Sequence, residues 1–138
     1  MSLELTRIDH IGVAVTDMDQ AIALYGGKLG MGAAHRELLA GEGVEAALLD
    51  VGDGHIELLL PTEEDTPVGR FIARRGEGLH HVAYAVEDIE AALASLASEG
   101  MKLIDTEPRT GIRNSRTAFI HHESVMGVLT ELVEPASG

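Results

Sequence analysis

Residues 8–15, IDHIGVAV, are almost all apolar and rich in Ile and Val. So short a run predicts a strand buried on both faces. Thr16 and Asp17 follow as helix caps, and in MDQAIALYGGKLG the side chains of Met18, Ile22 and Tyr25 share one helical face. Gly26, Gly27 and Gly30 weaken that helix toward its end and supply its exit. Three strands are then expected at 33–39, 45–51 and 55–60, separated by the turns GEG and GDG. The same order returns further on. A strand is predicted over 80–86, a helix over 88–98 stopped by Gly100, and strands near 102–106, 116–122 and 128–134. Between the two series, TEEDTPVGRFIARRGEG predicts a short helix begun near Thr66–Pro67. The expectation is an α+β chain, one domain over 1–138 built from two βαβββ repeats at about 7–61 and 78–135.

The repetition extends to individual residues. Setting HIGVAVTDMDQAIA over HVAYAVEDIEAALA matches His10 with His81, Asp17 with Asp88 and Ala21 with Ala92, while Ile11/Val82 keeps its apolar character. Later, IELLLP lies over TELVEP, which matches Glu57 with Glu131 and Pro61 with Pro135. The offset grows from 71 at the histidines to 74 at the glutamates, as if one hairpin loop were longer in the second half. Each half therefore offers one His near its start and one Glu near its end.

If the halves pair about a pseudo-two-fold axis, His10, Glu57, His81 and Glu131 converge from four strands. Two neutral imidazoles and two carboxylates suit a divalent first-row metal, and an octahedral ion keeps two positions for water or substrate oxygens. Taken singly, a His at a strand start is more often a hydrogen-bonded structural residue, and a Glu late in a strand usually faces water. Yet both glutamates sit inside apolar runs, where a carboxylate without a partner costs on the order of several kcal/mol. The pairwise match by an internal repeat favours the metal site. His80 adjoins His81, but alternation sends it to the other face, so it is a packing residue or a support for the ligands. His35, His55, His121 and His122 have no counterpart in the other half, and Asp50 and Asp53 read as turn residues.

Composition narrows the partners. A formal charge of −13 argues against nucleic acid, whose phosphates demand a basic surface. With two Phe, two Tyr and no Trp, base-stacking platforms are not expected either. No apolar run approaches the ~18 residues of a membrane span, and the N-terminus lacks a signal-peptide layout. The absence of cysteine removes thiolate nucleophiles and thiolate metal sites. A cytoplasmic location is expected.

DHIGVAV, IELLLP, RGEGLHHVAYAVEDIEAAL, LIDTEPR, AFIHHES and GVLTELVEP together resemble the methylmalonyl-CoA epimerase family, within the vicinal oxygen chelate (glyoxalase) superfamily. The resemblance runs over roughly residues 7–135. It implies a curled mixed sheet of paired βαβββ units around one divalent ion, Co2+ first, with Mn2+, Ni2+ or Zn2+ as substitutes. It also implies a homodimer and an acyl-CoA substrate. By position the ligands carry over to His10, Glu57, His81 and Glu131, with Glu57 where many relatives have Gln. The implied reaction interconverts (2R)- and (2S)-methylmalonyl-CoA by proton transfer at C2 through an enolate. Glu131 is implied as one of its bases.

The chain departs from that pattern in three places. Ala46 stands where some relatives have a Glu that serves as the opposite base, and Glu45 beside it is the candidate replacement. Strict alternation points Glu45 to the other face, so this role requires a β-bulge. RTGIRNSR replaces a glycine-rich loop, which makes Arg113 and Arg116 candidates for the substrate's phosphates. HHES stands where HPKS is common, exchanging a lysine for Glu123. Two rival readings share the fold. One is a lactoylglutathione lyase, toward which Glu57 leans but whose DPDGY-like segment is absent; the other is a metal-free binding protein with an aromatic-lined cleft.

Overall fold

The computed structural model describes residues 3–32 and 34–137, so residue 33, the first of the expected strand 33–39, lies outside the described residues, as do the ends of the expected 1–138 domain. Eight strands form one mixed sheet in the order β2-β3-β4-β1-β5-β8-β7-β6. They are β1 (Arg7–Ala14), β2 (His35–Leu39), β3 (Val44–Val51), β4 (Gly54–Pro61), β5 (Gly78–Ala85), β6 (Arg109–Thr110), β7 (Arg116–Ile120) and β8 (Thr130–Glu134). The helices are α1 (Met18–Ile22), α2 (Pro67–Arg75) and α3 (Ile89–Ser98), which with the sheet gives the expected α+β class. The chain divides into two compact units. One is His10–His80; the other joins the described residues up to Asp9 with those from His81 onward.

In the first unit β1 and β4 run parallel, while β2–β3 and β3–β4 are antiparallel hairpins. The register of β3 on β4 runs without interruption from Val44↔Pro61 to Val51↔Gly54. One face of these strands presents Ala47, Leu49 and Leu58 to Val15 and Met18, with Ile22 and Tyr25 packed around them. Asp17 caps α1 by accepting the Gln20 N–H. The expected long helix is not regular. After one α-turn, Ala23–Lys28 winds as a π-helix, with the Leu29 N–H reaching back to Leu24 O. Gly26 and Gly27 carry no side chain to hold the tighter ladder, and Gly30 at φ +74° turns the chain out.

The second unit repeats the plan. β5 and β8 are parallel, β8–β7 and β7–β6 antiparallel. Ala118, Ile120 and Leu132 meet Ile89, Ala92, Leu93 and Leu96 of α3. Asp88 caps α3 through the Ala91 N–H. The strand expected near 102–106 is not one. Only Leu103 bridges to Ile120, and the paired edge is Arg109–Thr110. The cause is local: the Asp105 carboxylate accepts the Phe119 N–H that a strand carbonyl would take, and the Ile104 and Asp105 N–H groups both donate to the same Phe119 carbonyl. The linking helix α2 begins as expected, with Thr66 accepting the Gly69 N–H and Pro67 in the first turn.

Candidate metal centre

Each unit builds one half of the donor set in the same way. In the first, β1 carries His10 and its parallel neighbour β4 carries Glu57, both buried. His10 Nε2 lies 3.3 Å from Glu57 Oε1. In the second, His81 on β5 and Glu131 on β8 are buried, again with 3.3 Å between Nε2 and Oε1. On the parallel neighbour the residue registered with each glutamate is small, Gly12 with Glu57 and Ala83 with Glu131, while the antiparallel neighbour presents Leu48 and Phe119. Room for the carboxylate is therefore left on the histidine-bearing side. The His81 ring is steadied by the Phe119 ring, edge-on at 5.2 Å between centroids.

Among the described residues, His10, Glu57, His81 and Glu131 each offer one ligand atom, and these atoms lie within 4.8 Å of one another. The donor set fits a divalent cation. A charge-assisted bond from imidazole to carboxylate is usually about 2.7–2.9 Å long. Two donors each ~2.1 Å from one ion and at right angles lie about 3 Å apart, nearer to the 3.3 Å found in both halves. Two carboxylates offset the ion's charge, and two neutral imidazoles complete a set suited to first-row metals. A second group, His121, His122 and Glu123, also brings ligand atoms together, but it is mostly exposed. There the His121 Nδ1 already accepts the Glu123 N–H.

With this geometry stands a sequence likeness. The family model of the Glyoxalase/Bleomycin resistance protein/Dioxygenase superfamily matches residues 9–119. The chain belongs to this superfamily. The ethylmalonyl-CoA/methylmalonyl-CoA epimerase of Cereibacter sphaeroides is 32% identical, over 91% of this chain and 96% of its own. A methylmalonyl-CoA epimerase solved in complex with methylmalonyl-CoA and NH4+ is 40% identical, covers 97% of both chains and superposes with a TM-score of 0.92. The methylmalonyl-CoA epimerase of Mycobacterium tuberculosis is 39% identical, covers 99% of this chain and 93% of its own, and has a TM-score of 0.94.

The other residues singled out by the sequence of this superfamily member are distributed as follows. Glu45 is not beside Glu57. The unbroken β3–β4 register contains no bulge, so Glu45 stays on the helix-covered face, registered with Leu38 and Leu60. There its carboxylate accepts the Arg36 guanidinium at 2.7 Å, and Arg36 reaches on to Asp19 of α1 at 2.9 Å. These bonds, Glu45 first, push the Arg36 pKa above its already high value. Arg116 likewise does not share the face of Glu131. Registered with Glu134, it bonds Glu90 of α3 at 2.7 Å, with Glu134 at 3.7 Å, and the Glu90 bond raises its pKa most. Arg113 is exposed, in the turn Ile112–Asn114 whose Ile112 is buried, and has a left-handed backbone, φ +54°. Gly111 before it admits no side chain, since a Cβ there would stand 2.7 Å from Thr117 Cγ2. His80 packs edge-on against Phe71 of α2, centroids 4.9 Å apart, as a packing residue.

Two pairs that the sequence left without a role share the Glu57 face. His55 is registered with His10 and Asp50, and its Nε2 lies 3.3 Å from Asp50 Oδ1. On the edge strand β2, His35 is registered with Leu48 and Glu37 with Ala46; His35 Nε2 and Glu37 Oε1 are 3.0 Å apart. The register that sets Glu37 beside Ala46 follows from the 40–43 turn, and the sequence pattern does not single out Glu37. Alternation alone does not say which residues of a neighbouring strand stand alongside. No helix among the described residues is long and apolar enough to cross a membrane.

Proposed function

We propose that this protein is a methylmalonyl-CoA epimerase, interconverting the 2R and 2S forms of its thioester substrate by moving the proton at C2. The likeness along nearly the whole chain to an epimerase solved with methylmalonyl-CoA carries this reading. His10, Glu57, His81 and Glu131 would hold one divalent ion, cobalt being the first candidate. When bound, such an ion supplies positive charge against the negative charge that builds on the substrate oxygens as C2 loses its proton. The chain's own residues do the rest. The imidazoles are presented by Nε2 and fixed by strand burial, and the Phe119 edge keeps the His81 ring from turning. Glu131 takes or returns a proton at C2, with only the Ala83 methyl group beside it on the parallel neighbour. Inversion needs a second group on the other side of the carbon. In the substrate's phosphate region Arg113 and Arg116 are the candidates, Arg116 being bonded also to Glu90 and Glu134. The active species is a homodimer, which analytical ultracentrifugation checks.

The relatives named above are epimerases, which sets aside a lactoylglutathione lyase, and the four-donor group disfavours a metal-free binding protein. The deciding experiment is NMR-detected deuterium uptake at C2 of methylmalonyl-CoA. Uptake that EDTA abolishes and added Co2+ restores is expected. Turnover of the hemithioacetal of methylglyoxal and glutathione, with no uptake at C2, overturns the reading.

A further inference from the structure

Resting on the epimerase reading, we infer that Glu37, held by His35, is the second proton-handling group of the reaction. Inversion at a carbon acid requires one group to remove the proton and another to deliver one to the opposite side. On the Glu57 face of the first unit, β3 supplies Val44, Ala46 and Leu48, none with a titratable side chain, and Asp50, which faces His55 at 3.3 Å, while Glu45 is turned away onto Arg36. The rung that contains Ala46 continues on β2 to Glu37. Strands lie about 4.8 Å apart, and on this rung Ala46 contributes only a methyl group between Glu37 and β4. Ala46 is fully buried although its side chain is so small, which means longer neighbours cover it.

His35 and Glu37 sit two apart on one strand, their side chains on one face, and the 3.0 Å contact between Nε2 and Oε1 fixes the carboxylate. The Glu37 side chain is 34% exposed, so a proton it has taken can be exchanged with water. In the step, the C2–H bond breaks, its electron pair enters the enolate, and the proton forms an O–H bond on Glu37. Glu131, protonated at the start, then delivers its proton to the opposite side, its O–H bond breaking as the new C2–H bond forms, and the reverse direction uses the same two groups in exchanged roles. The equivalent rung of the second unit is Arg109–Thr117–Val133, so the acid is peculiar to the first half and not inherited from the doubling.

The test is Glu37→Gln, assayed with each epimer separately in D2O. Interconversion is expected to fall about 100-fold or more. One epimer should still exchange its C2 proton close to the wild-type rate without inverting, and Co2+ binding should be unchanged. Glu37→Asp should recover part of the interconversion. Wild-type inversion in E37Q, or equal loss of exchange from both epimers, overturns the assignment. So does a His55→Gln variant that shows the one-sided exchange while E37Q does not. A wild-type protein that exchanges neither epimer brings down the epimerase reading itself, a different result from any of these.

Discussion

The two units hold the same pair at the same separation, His10–Glu57 and His81–Glu131 each at 3.3 Å, yet they are finished differently. In the first, the edge strand β2 is five residues long and brings His35 and Glu37 onto the ligand face. In the second, the edge has shrunk to Arg109–Thr110, and Asp105 substitutes for strand pairing. The helix sides differ too. α3 is a ten-residue helix on a well-filled core, whereas α1 is five residues running into a π-turn. An arginine nevertheless clips each helix start to the sheet, Arg36 through Asp19 and Arg116 through Glu90. Duplication preserved what the donor set needs, a His and a Glu on adjacent parallel strands. Where no ligand is supplied, the edges and helices drifted.

Substitutions can break or sharpen this comparison. The largest effect belongs to the shared element: His10→Ala and His81→Ala should each weaken Co2+ binding by more than about 100-fold, since even residues behind the ligands contribute 10–100-fold in such sites. Titration of the cobalt absorption measures it, and a variant of one half that binds normally would show that the halves are not equivalent. Next in size is the core. Leu58→Ala and Leu132→Ala occupy matched, fully buried positions and should each cost about 2–5 kcal/mol in urea unfolding. Saturating the wild type with metal should act in the opposite direction, adding about 2.7 kcal/mol at a hundred times the dissociation constant, read as a rise in the thermal midpoint. Smaller again, Asp17→Ala and Asp88→Ala each remove a cap worth about 1 kcal/mol. Hydrogen exchange should show the α1 amides opening more readily than those of α3 in both variants. The smallest effect is expected for Glu45→Gln, an exposed ion-pair partner on the helix side: a stability change within about 0.5 kcal/mol and unchanged epimerisation.

Much of this was legible in the chain. The doubling appears as matched strings, and burial of a carboxylate in IELLLP or TELVEP calls for a partner, so four candidate ligands follow from pattern and charge. The caps Asp17, Thr66 and Asp88 are local hydrogen bonds and are equally readable. Register is different. Which face Glu45 takes depends on whether β3 is bulged, and which residue stands beside Ala46 depends on a turn of four residues whose geometry the sequence does not dictate. Likewise Arg116 was drawn to the substrate by its charge, when the neighbours Glu90 and Glu134, distant in sequence, had already engaged it.

The sequence by itself determined the doubled βαβββ plan and the two His–Glu pairs that could hold a divalent ion, because periodicity, caps and the cost of buried charge act over a few residues. Only the tertiary structure decided that Glu45 is tied to a helix, that the last edge strand collapses onto Asp105, and that Glu37 shares a face with Glu57. Those outcomes turn on which strand neighbours which and in what register, a competition among distant backbone partners that no local pattern resolves.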